Sequence, residues 1–304
     1  MTADAYMSAQ AQALLAQMSG ADLCPATVAT VDQHREEARA AFLPRAERAV
    51  ARHGVSVEPI QIAGQPCLEI RPPRTAQGSP EGTVLYCYGG GYISGSAQED
   101  LIVSAALCAH AGVRVVAIDY PLAPEHPWPA AHEAAWAVFE AVSEEGPLAL
   151  AGESAGGNLA LTVMQRAPRG RVKAALLLSP WCDLTHGGDS LTFNDGRDPT
   201  LARAQLTAAA SLYAGGADTA DPRISPINGA FYPDGPPVMI TTGTRDILMS
   251  QCTDLARRMS AAGQDVQLSV YDGLWHVFEF YDELPEAEVS LTAGAAFLRA
   301  HLRT

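Results

Sequence analysis

The sequence predicts an α/β fold with a mostly parallel, eight-stranded sheet and helices on both of its faces. Three observations support this prediction. Short apolar runs recur along the chain, helical patterns alternate with them, and the later runs are apolar throughout instead of alternating with polar residues. Strands joined by helices are parallel, and a strand covered on both faces needs a continuous apolar run. The 304 residues suffice for one such domain.

Eight apolar runs bounded by glycine and proline are predicted as strands, at residues 55–62, 67–71, 84–88, 113–118, 148–151, 174–178, 238–242 and 266–271. Five helical patterns alternate with them, at residues 100–110, 130–143, 155–167, 250–262 and 286–302.

Two segments do not fit this alternation. Residues 1–50 contain two amphipathic helical patterns, and residues 184–236 contain one at 201–213. We therefore expect a single domain of residues 1–304, with a helical cap formed by these two segments.

Charge and composition exclude several functions. The formal net charge is −14 and Lys173 is the only lysine, so the surface repels nucleic acids and anionic membranes. No stretch approaches 18 uninterrupted apolar residues, and the N-terminus has no basic region followed by an apolar one. The six cysteines show no CxxC or Cys/His spacing, which predicts reduced thiols instead of zinc ligands or disulfides. We therefore expect a soluble cytoplasmic protein.

The segment LALAGESAGGNLAL, residues 148–161, places Gly-Glu-Ser-Ala-Gly between a predicted strand and a predicted helix. This is the GxSxG pattern of a nucleophile elbow, in which small residues leave room for a serine in a strained turn. Ser154 would lie at a helix N-terminus, where the helix dipole favours developing negative charge. The pattern predicts Ser154 as a catalytic nucleophile, with an ordinary strand-to-helix turn as the alternative.

A serine nucleophile needs a general base, and the base needs a carboxylate that orients it. His276 follows the last predicted strand, so its loop leaves the same edge of the sheet as the elbow. Asp246 follows the preceding strand and gives the chain order Ser, Asp, His. Asp183 also ends a strand and is the rival. Asp246 is favoured because its strand neighbours the strand before His276.

Gly89, Gly90 and Gly91 directly follow the third predicted strand. Their backbone N–H groups, with that of Ala155, are predicted as an oxyanion hole for a tetrahedral intermediate. A phosphate-binding glycine loop is the alternative, but neither GxGxxG nor GK[ST] is present.

Three aromatic residues near these motifs are expected to line the substrate pocket: Tyr92, Trp181 and Trp275. Side chains from the two cap segments would complete it. Packing in the core is the alternative for each of the three.

At this point the sequence resembles the hormone-sensitive lipase family of bacterial and plant carboxylesterases, over about residues 83–278. The elbow GESAGGNLA matches the family, and DYPLAPEHPWPAA at 119–131 is similar to its DYRLAPEHPFPAA segment, which a triad does not require. SPWCDL, DPRISP and the WHVF context of the histidine match as well. The resemblance implies an α/β-hydrolase fold. It also implies the triad Ser154, Asp246 and His276, the oxyanion donors Gly89, Gly90 and Ala155, and a supporting role for Gly91.

Two positions depart from the family pattern. Tyr88 stands where the family has the histidine of its HGGG motif, and Pro121 stands where it has the arginine of DYR. The family histidine supports the glycine loop, so its loss leaves the reaction class intact but puts the loop geometry and the substrate preference in doubt. Tyr88 either supplies a hydroxyl to the same neighbours or packs at the end of a strand.

Together these residues predict a serine carboxylic-ester hydrolase that acts on small to medium acyl esters through a covalent acyl-enzyme, with no metal or cofactor. Lactone or amide hydrolysis on the same triad is an alternative. A non-catalytic receptor is another, because plant relatives bind a hormone in this pocket, but such receptors lose the triad histidine. The resemblance also allows a homodimer through the edge of the last strand.

Overall fold

The structure is a computed structural model, and it describes residues 6–18, 23–73 and 82–303. The strands of its described part are β1 (Ser56–Ile62), β2 (Gln65–Arg71), β3 (Thr83–Cys87), β4 (Arg114–Ile118), β5 (Leu148–Glu153), β6 (Val172–Leu178), β7 (Val238–Gly243) and β8 (Val266–Tyr271). They form one sheet in the order β1-β2-β4-β3-β5-β6-β7-β8. β2 is antiparallel to both of its neighbours, and all pairs from β3 to β8 are parallel.

The helices of the described residues are α1 (Ala9–Met18), α2 (Val31–His53), α3 (Leu101–Ala111), α4 (Ala130–Ser143), α5 (Ser154–Arg166), α6 (Ser190–Phe193), α7 (Arg203–Ala214), α8 (Met249–Ala261) and α9 (Pro285–Leu302). α3 and α9 pack together on one face of the sheet, and α4, α5 and α8 cover the other. Every residue of β3, β5 and β7 is buried between these layers, whereas the edge strands β1 and β8 are partly exposed. The predicted α/β-hydrolase fold with a mostly parallel eight-stranded sheet is therefore confirmed.

The element boundaries differ from the predicted ones in ways that concern the site. β5 continues to Glu153, two residues beyond the predicted strand, so α5 begins at the next residue. The predicted helix at 201–213 is α7, and the single turn α6 before it was not predicted. A helix of four residues is too short to show helical periodicity in a sequence.

Both predicted cap segments are bonded to loops at the carboxyl edge of the sheet. Arg35 of α2 donates to the carbonyl oxygens of Ile93 (2.8 Å) and Ala123 (2.9 Å). From the second segment, the carbonyl oxygen of Tyr213 accepts the N–H of Trp128 (2.7 Å). The division of the chain into a domain and a cap stays a prediction, and residues 1–5 and 19–22 of the first segment lie outside the described residues.

Candidate active site

The nucleophile elbow is a sharp turn between β5 and α5. Ser154 has a φ of +51°, in the left-handed region that residues with a side chain rarely adopt. A Cβ atom at Gly152 would overlap the carbonyl oxygen of Gly156, and one at Gly156 would overlap that of Cys87. Only glycine therefore fits at these two positions, and the turn holds the serine at the end of the strand.

Ser154, His276 and Asp246 are brought together at the carboxyl edge of the sheet. Nε2 of His276 lies 2.9 Å from Oγ of Ser154, and its Nδ1 lies 3.1 Å from Oδ1 of Asp246. The buried carboxylate of Asp246 also accepts the hydroxyl of Thr242 and the N–H of Leu248, both at 2.8 Å. β7 pairs with β8, so the loops that carry Asp246 and His276 are neighbours, as the order of the predicted strands implies.

The electrostatics around His276 favour its protonated form. Burial lowers the pKa of His276, but the charge and hydrogen bond of Asp246, with the charges of Asp198 and Glu153, outweigh burial and raise it. Burial acts to raise the pKa of Asp246, and the interaction with His276 outweighs burial and lowers it. An imidazolium formed as Ser154 loses its proton is therefore stabilised where it forms.

The rival carboxylate, Asp183, is used by its own turn. Its Oδ1 accepts the N–H and hydroxyl of Thr185, at 2.8 and 2.5 Å, and its Oδ2 accepts the N–H of Gly187 at 3.2 Å. The acceptor on Nδ1 of His276 is Asp246.

The glycine loop after β3 lies beside the elbow, but its three glycines have different surroundings. Gly89 donates its N–H to Oε1 of Glu153, and a Cβ atom at Gly89 would overlap that carboxylate. The prediction of Gly89 as an oxyanion donor therefore needs correction, because its N–H is already bonded. Within the described residues no acceptor takes the N–H of Gly90 or Gly91, and the N–H of Ala155 lies in the first turn of α5.

Glu153 and Asp100 form a buried pair of carboxyl groups below this loop. Oδ2 of Asp100 accepts the hydroxyl of Tyr86 at 3.1 Å. Burial, followed by the charge of Glu153, raises the pKa of Asp100 well above its usual range, and burial raises the pKa of Glu153 to about 7. In either protonation state Glu153 keeps an oxygen that can accept the N–H of Gly89.

A cavity of about 370 Å³ opens in front of Ser154 and His276. Its catalytic side includes Gly90 and Trp181. Much of the opposite wall consists of apolar side chains from the two predicted cap segments: Leu23, Ala26, Ala38, Phe42, Leu201, Leu206 and Ala209. The site can thus accept a small apolar molecule against a nucleophile, a base and free N–H donors.

Comparison with known proteins agrees with this arrangement. Residues 84–280 match the family described as alpha/beta hydrolase fold. An esterase of Acinetobacter venetianus is 31% identical over 253 residues, which cover 80% of this chain and 82% of the relative. An acetyl-hydrolase of Streptomyces hygroscopicus is 33% identical over 271 residues, which cover 86% of this chain and 89% of the relative. This chain belongs to the α/β-hydrolase family.

Solved structures show which members of the family this chain resembles. The crystal structure of the esterase E25 superposes with a TM-score of 0.90 at 28% identity, covering 100% of this chain and 97% of the other. A hormone-sensitive lipase from a metagenome library superposes with a TM-score of 0.84 at 28% identity, covering 96% of this chain and 98% of the other. The predicted resemblance to the hormone-sensitive lipase family and the assignment to the carboxylesterases are confirmed.

Of the three predicted pocket residues of this hydrolase, Trp181 lines the cavity, whereas Tyr92 and Trp275 do not. The ring of Tyr92 stacks on Tyr213 with centroids 3.7 Å apart, and its hydroxyl donates to Oδ1 of Asn158 at 2.8 Å. Trp275 packs edge-on against Tyr281, with centroids 5.5 Å apart. Tyr92 and Trp275 are fully buried, so core packing, the alternative considered for them, is what the structure shows.

Tyr88, which replaces the family histidine, supports the glycine loop of the hydrolase. Its ring stacks on Tyr120 with centroids 4.2 Å apart, and its hydroxyl donates to the carbonyl oxygen of Tyr120 at 3.2 Å. In return, the hydroxyl of Tyr120 donates to the carbonyl oxygen of Tyr88 at 2.7 Å. These reciprocal bonds hold the residue from which the glycine loop starts.

Sequence reasoning missed two acidic residues of the hydrolase that contact the catalytic loops, Glu153 and Asp198. The signal for Glu153 was its place inside the elbow motif, next to the nucleophile. Asp198 gave no motif signal.

Within residues 6–18, 23–73 and 82–303, no group of three histidine, cysteine or acidic side chains is arranged to hold a metal ion. No helix in this part of the chain is long and apolar enough to cross a membrane.

Proposed function

We propose that the chain is a serine carboxylic-ester hydrolase that acts on small to medium acyl esters through a covalent acyl-enzyme. The observation that supports this most strongly is the line of hydrogen bonds from Ser154 through His276 to Asp246, at 2.9 and 3.1 Å. Relatives named esterase and acetyl-hydrolase support the ester class.

In the first half-reaction, Oγ of Ser154 attacks the ester carbonyl carbon while Nε2 of His276 takes the hydroxyl proton. The carbonyl oxygen becomes an oxyanion, and the N–H groups of Gly90, Gly91 and Ala155 donate to it. The imidazolium, held by Asp246, then gives its proton to the departing alkoxide. The alcohol leaves, and the acyl group stays on the serine.

In the second half-reaction, water takes the place of the alcohol. Nε2 of His276 removes a proton from the water as its oxygen attacks the acyl carbon. The same N–H groups hold the second oxyanion, and the proton returns to Oγ of Ser154 when the acid leaves. One base therefore serves both halves.

The cavity supports the proposed size of the substrate. Its volume of about 370 Å³ has to hold both the acyl and the alcohol part, and its walls are mostly apolar. Phe42 of α2 packs against Phe280 on this wall, with ring centroids 5.3 Å apart. These rings add apolar surface for an acyl group on this wall.

Hydrolysis of p-nitrophenyl esters from acetate to hexadecanoate, beside a set of aliphatic lactones and anilides, tests the proposal. We expect the highest kcat/KM for short to medium acyl chains, and background release from the Ser154→Ala variant. Mass spectrometry of the protein after a short exposure to a slow ester should show the acyl adduct on Ser154. A higher kcat/KM for lactones or anilides than for every ester would replace the ester assignment, and full turnover by the alanine variant would contradict the mechanism.

We further propose a cytoplasmic location and a homodimer through β8. Five cysteines are buried free thiols, which suits a reducing compartment: Cys67, Cys87, Cys108, Cys182 and Cys252.

β8 lies at an edge of the sheet, and Val270 on it is 45% exposed. An open strand edge can pair with a second copy. Light scattering after gel filtration distinguishes a dimer from a monomer, and the charged variant Val270→Lys should shift a β8 dimer toward the monomer.

A further inference from the structure

Asp198, in the second predicted cap segment, contacts both loops that carry the triad. Its Oδ2 accepts the N–H of Ile247 at 3.0 Å and the N–H of His276 at 3.2 Å. Its Oδ1 accepts the N–H and the hydroxyl of Thr200, at 3.0 and 2.8 Å. Ile247 directly follows Asp246 in the sequence, so one carboxylate joins the loop of the orienting acid to the loop of the base.

Only a carboxylate satisfies this arrangement. Four donors converge on the two oxygens of Asp198, two on each oxygen. An asparagine has one acceptor oxygen, and its NH₂ group would face at least one backbone N–H whichever way the amide is turned. Asp198 is 2% exposed and Ile247 is fully buried, so the N–H of Ile247 could not turn to solvent if it lost this acceptor.

A second side chain of the same segment holds the same loop. Nδ2 of Asn194 donates to the carbonyl oxygens of Thr244 and Asp246, at 3.1 and 2.9 Å. Asn194 is fully buried. The segment therefore holds two carbonyl groups of the Asp246 loop through Asn194, and the N–H of Ile247 in that loop through Asp198.

The charge of Asp198 also acts on the base. Three carboxyl groups face His276 and raise its pKa, in the order Asp246, Asp198 and Glu153. Glu279 is the further acidic group near Asp246. Burial, with the charge of Asp246, raises the pKa of Asp198 to about 6, although His276 opposes this. Removal of Asp198 would leave Asp246 and Glu153 to stabilise the imidazolium.

We propose that Asp198 is a positioning residue of the hydrolase: its carboxylate locks the loops of Asp246 and His276 together, so that the second cap segment completes the triad. This inference rests on the proposed function. It assigns Asp198 no contact with the substrate and no proton transfer.

The test compares Asp198→Asn and Asp198→Ala with wild type. We expect kcat for p-nitrophenyl butyrate to fall roughly ten- to a hundredfold, the range for buried donors that lose their acceptor, while KM changes little. The acidic limb of the pH profile of kcat/KM should move to lower pH in both variants, because a negative charge that raises the pKa of His276 is gone. Asp195→Asn is the matched control: Asp195 lies in the same segment, is exposed and accepts the N–H of Arg203 at 3.1 Å.

Titration with a fluorophosphonate, counted by mass spectrometry, gives the number of reactive serines, so that kcat refers to folded sites even if a variant is partly unfolded. An unchanged kcat in both variants would overturn the inference. So would a loss of kcat with an unshifted acidic limb, because that result would show a structural role alone. The proposed function is tested separately: it holds if the wild type hydrolyses the ester and Ser154→Ala does not. Failure of the Asp198 test is therefore distinguishable from failure of the proposed function.

Discussion

Oε1 of Glu153 accepts the backbone N–H of Gly89, so the residue before the nucleophile is bonded to the first glycine of the loop opposite it. The proposed oxyanion hole combines Ala155 of the elbow with Gly90 and Gly91 of the loop. The spacing between these two sets of donors therefore depends on the Glu153 carboxylate.

Glu153→Ala should lower kcat roughly tenfold or more, because the N–H of Gly89 loses its acceptor and the glycine loop is no longer fixed. Glu153→Gln keeps an acceptor oxygen and should retain most of the activity. Turnover of p-nitrophenyl butyrate and the melting temperature of both variants check this. Equal turnover in the two variants would show that the contact does not position the loop.

Ser154→Ala, His276→Ala and the double variant should all lose nearly the whole of the activity. Because the two residues act as a unit, the double variant should be little slower than either single one. Steady-state rates, corrected for background hydrolysis, provide the comparison. Losses that multiply in the double variant would mean that the two side chains act independently.

Asp246→Asn should lower kcat by several orders of magnitude, about 10⁴ in the comparable protease case, because the imidazole would be held in the wrong tautomer. Asp183→Asn is the control, since that carboxylate accepts hydrogen bonds from Thr185 and Gly187 of its own turn. It should change kcat far less. The reverse ranking would transfer the orienting role to Asp183.

Tyr88→Phe should lower the rate no more than roughly tenfold. The variant loses one hydrogen bond, to the carbonyl oxygen of Tyr120, which is worth about 1 kcal/mol, and it keeps the stacked rings. Rates with a small and a large ester should fall together. A hundredfold fall at an unchanged melting temperature would instead place the phenol at the oxyanion or the leaving group.

The pH dependence follows from the base. His276 must be neutral to accept the proton of Ser154, and its pKa lies above the ordinary 6.5, because the Asp246 interaction outweighs burial. A raised pKa means that a higher pH is needed to free the base, so kcat/KM should rise with pH and reach half its maximum above pH 6.5. A midpoint below 6.5 in the profile of the wild type would show that burial dominates.

The sequence was sufficient for the sheet and for placing Ser154, Asp246 and His276 near one another, because these depend on local patterns and on the order of neighbouring strands. It was insufficient where side chains meet over long separations. Gly89 meets Glu153 across 64 positions, and Asp198 meets His276 across 78. Tyr92 was misplaced for the same reason, since its partner Asn158 lies 66 positions away.

The hydrogen bonds of Arg35 to three distant residues have a consequence for how the molecule opens on heating. They join α2 to Ile93, Ala123 and Glu125, which lie 58, 88 and 90 positions further along the chain. All three partners lie in loops, and α2 also supplies Ala38 and Phe42 to the cavity wall. Local opening of α2 would therefore remove part of that wall without breaking any pair of strands, so we expect substrate binding to be lost on heating before the sheet unfolds.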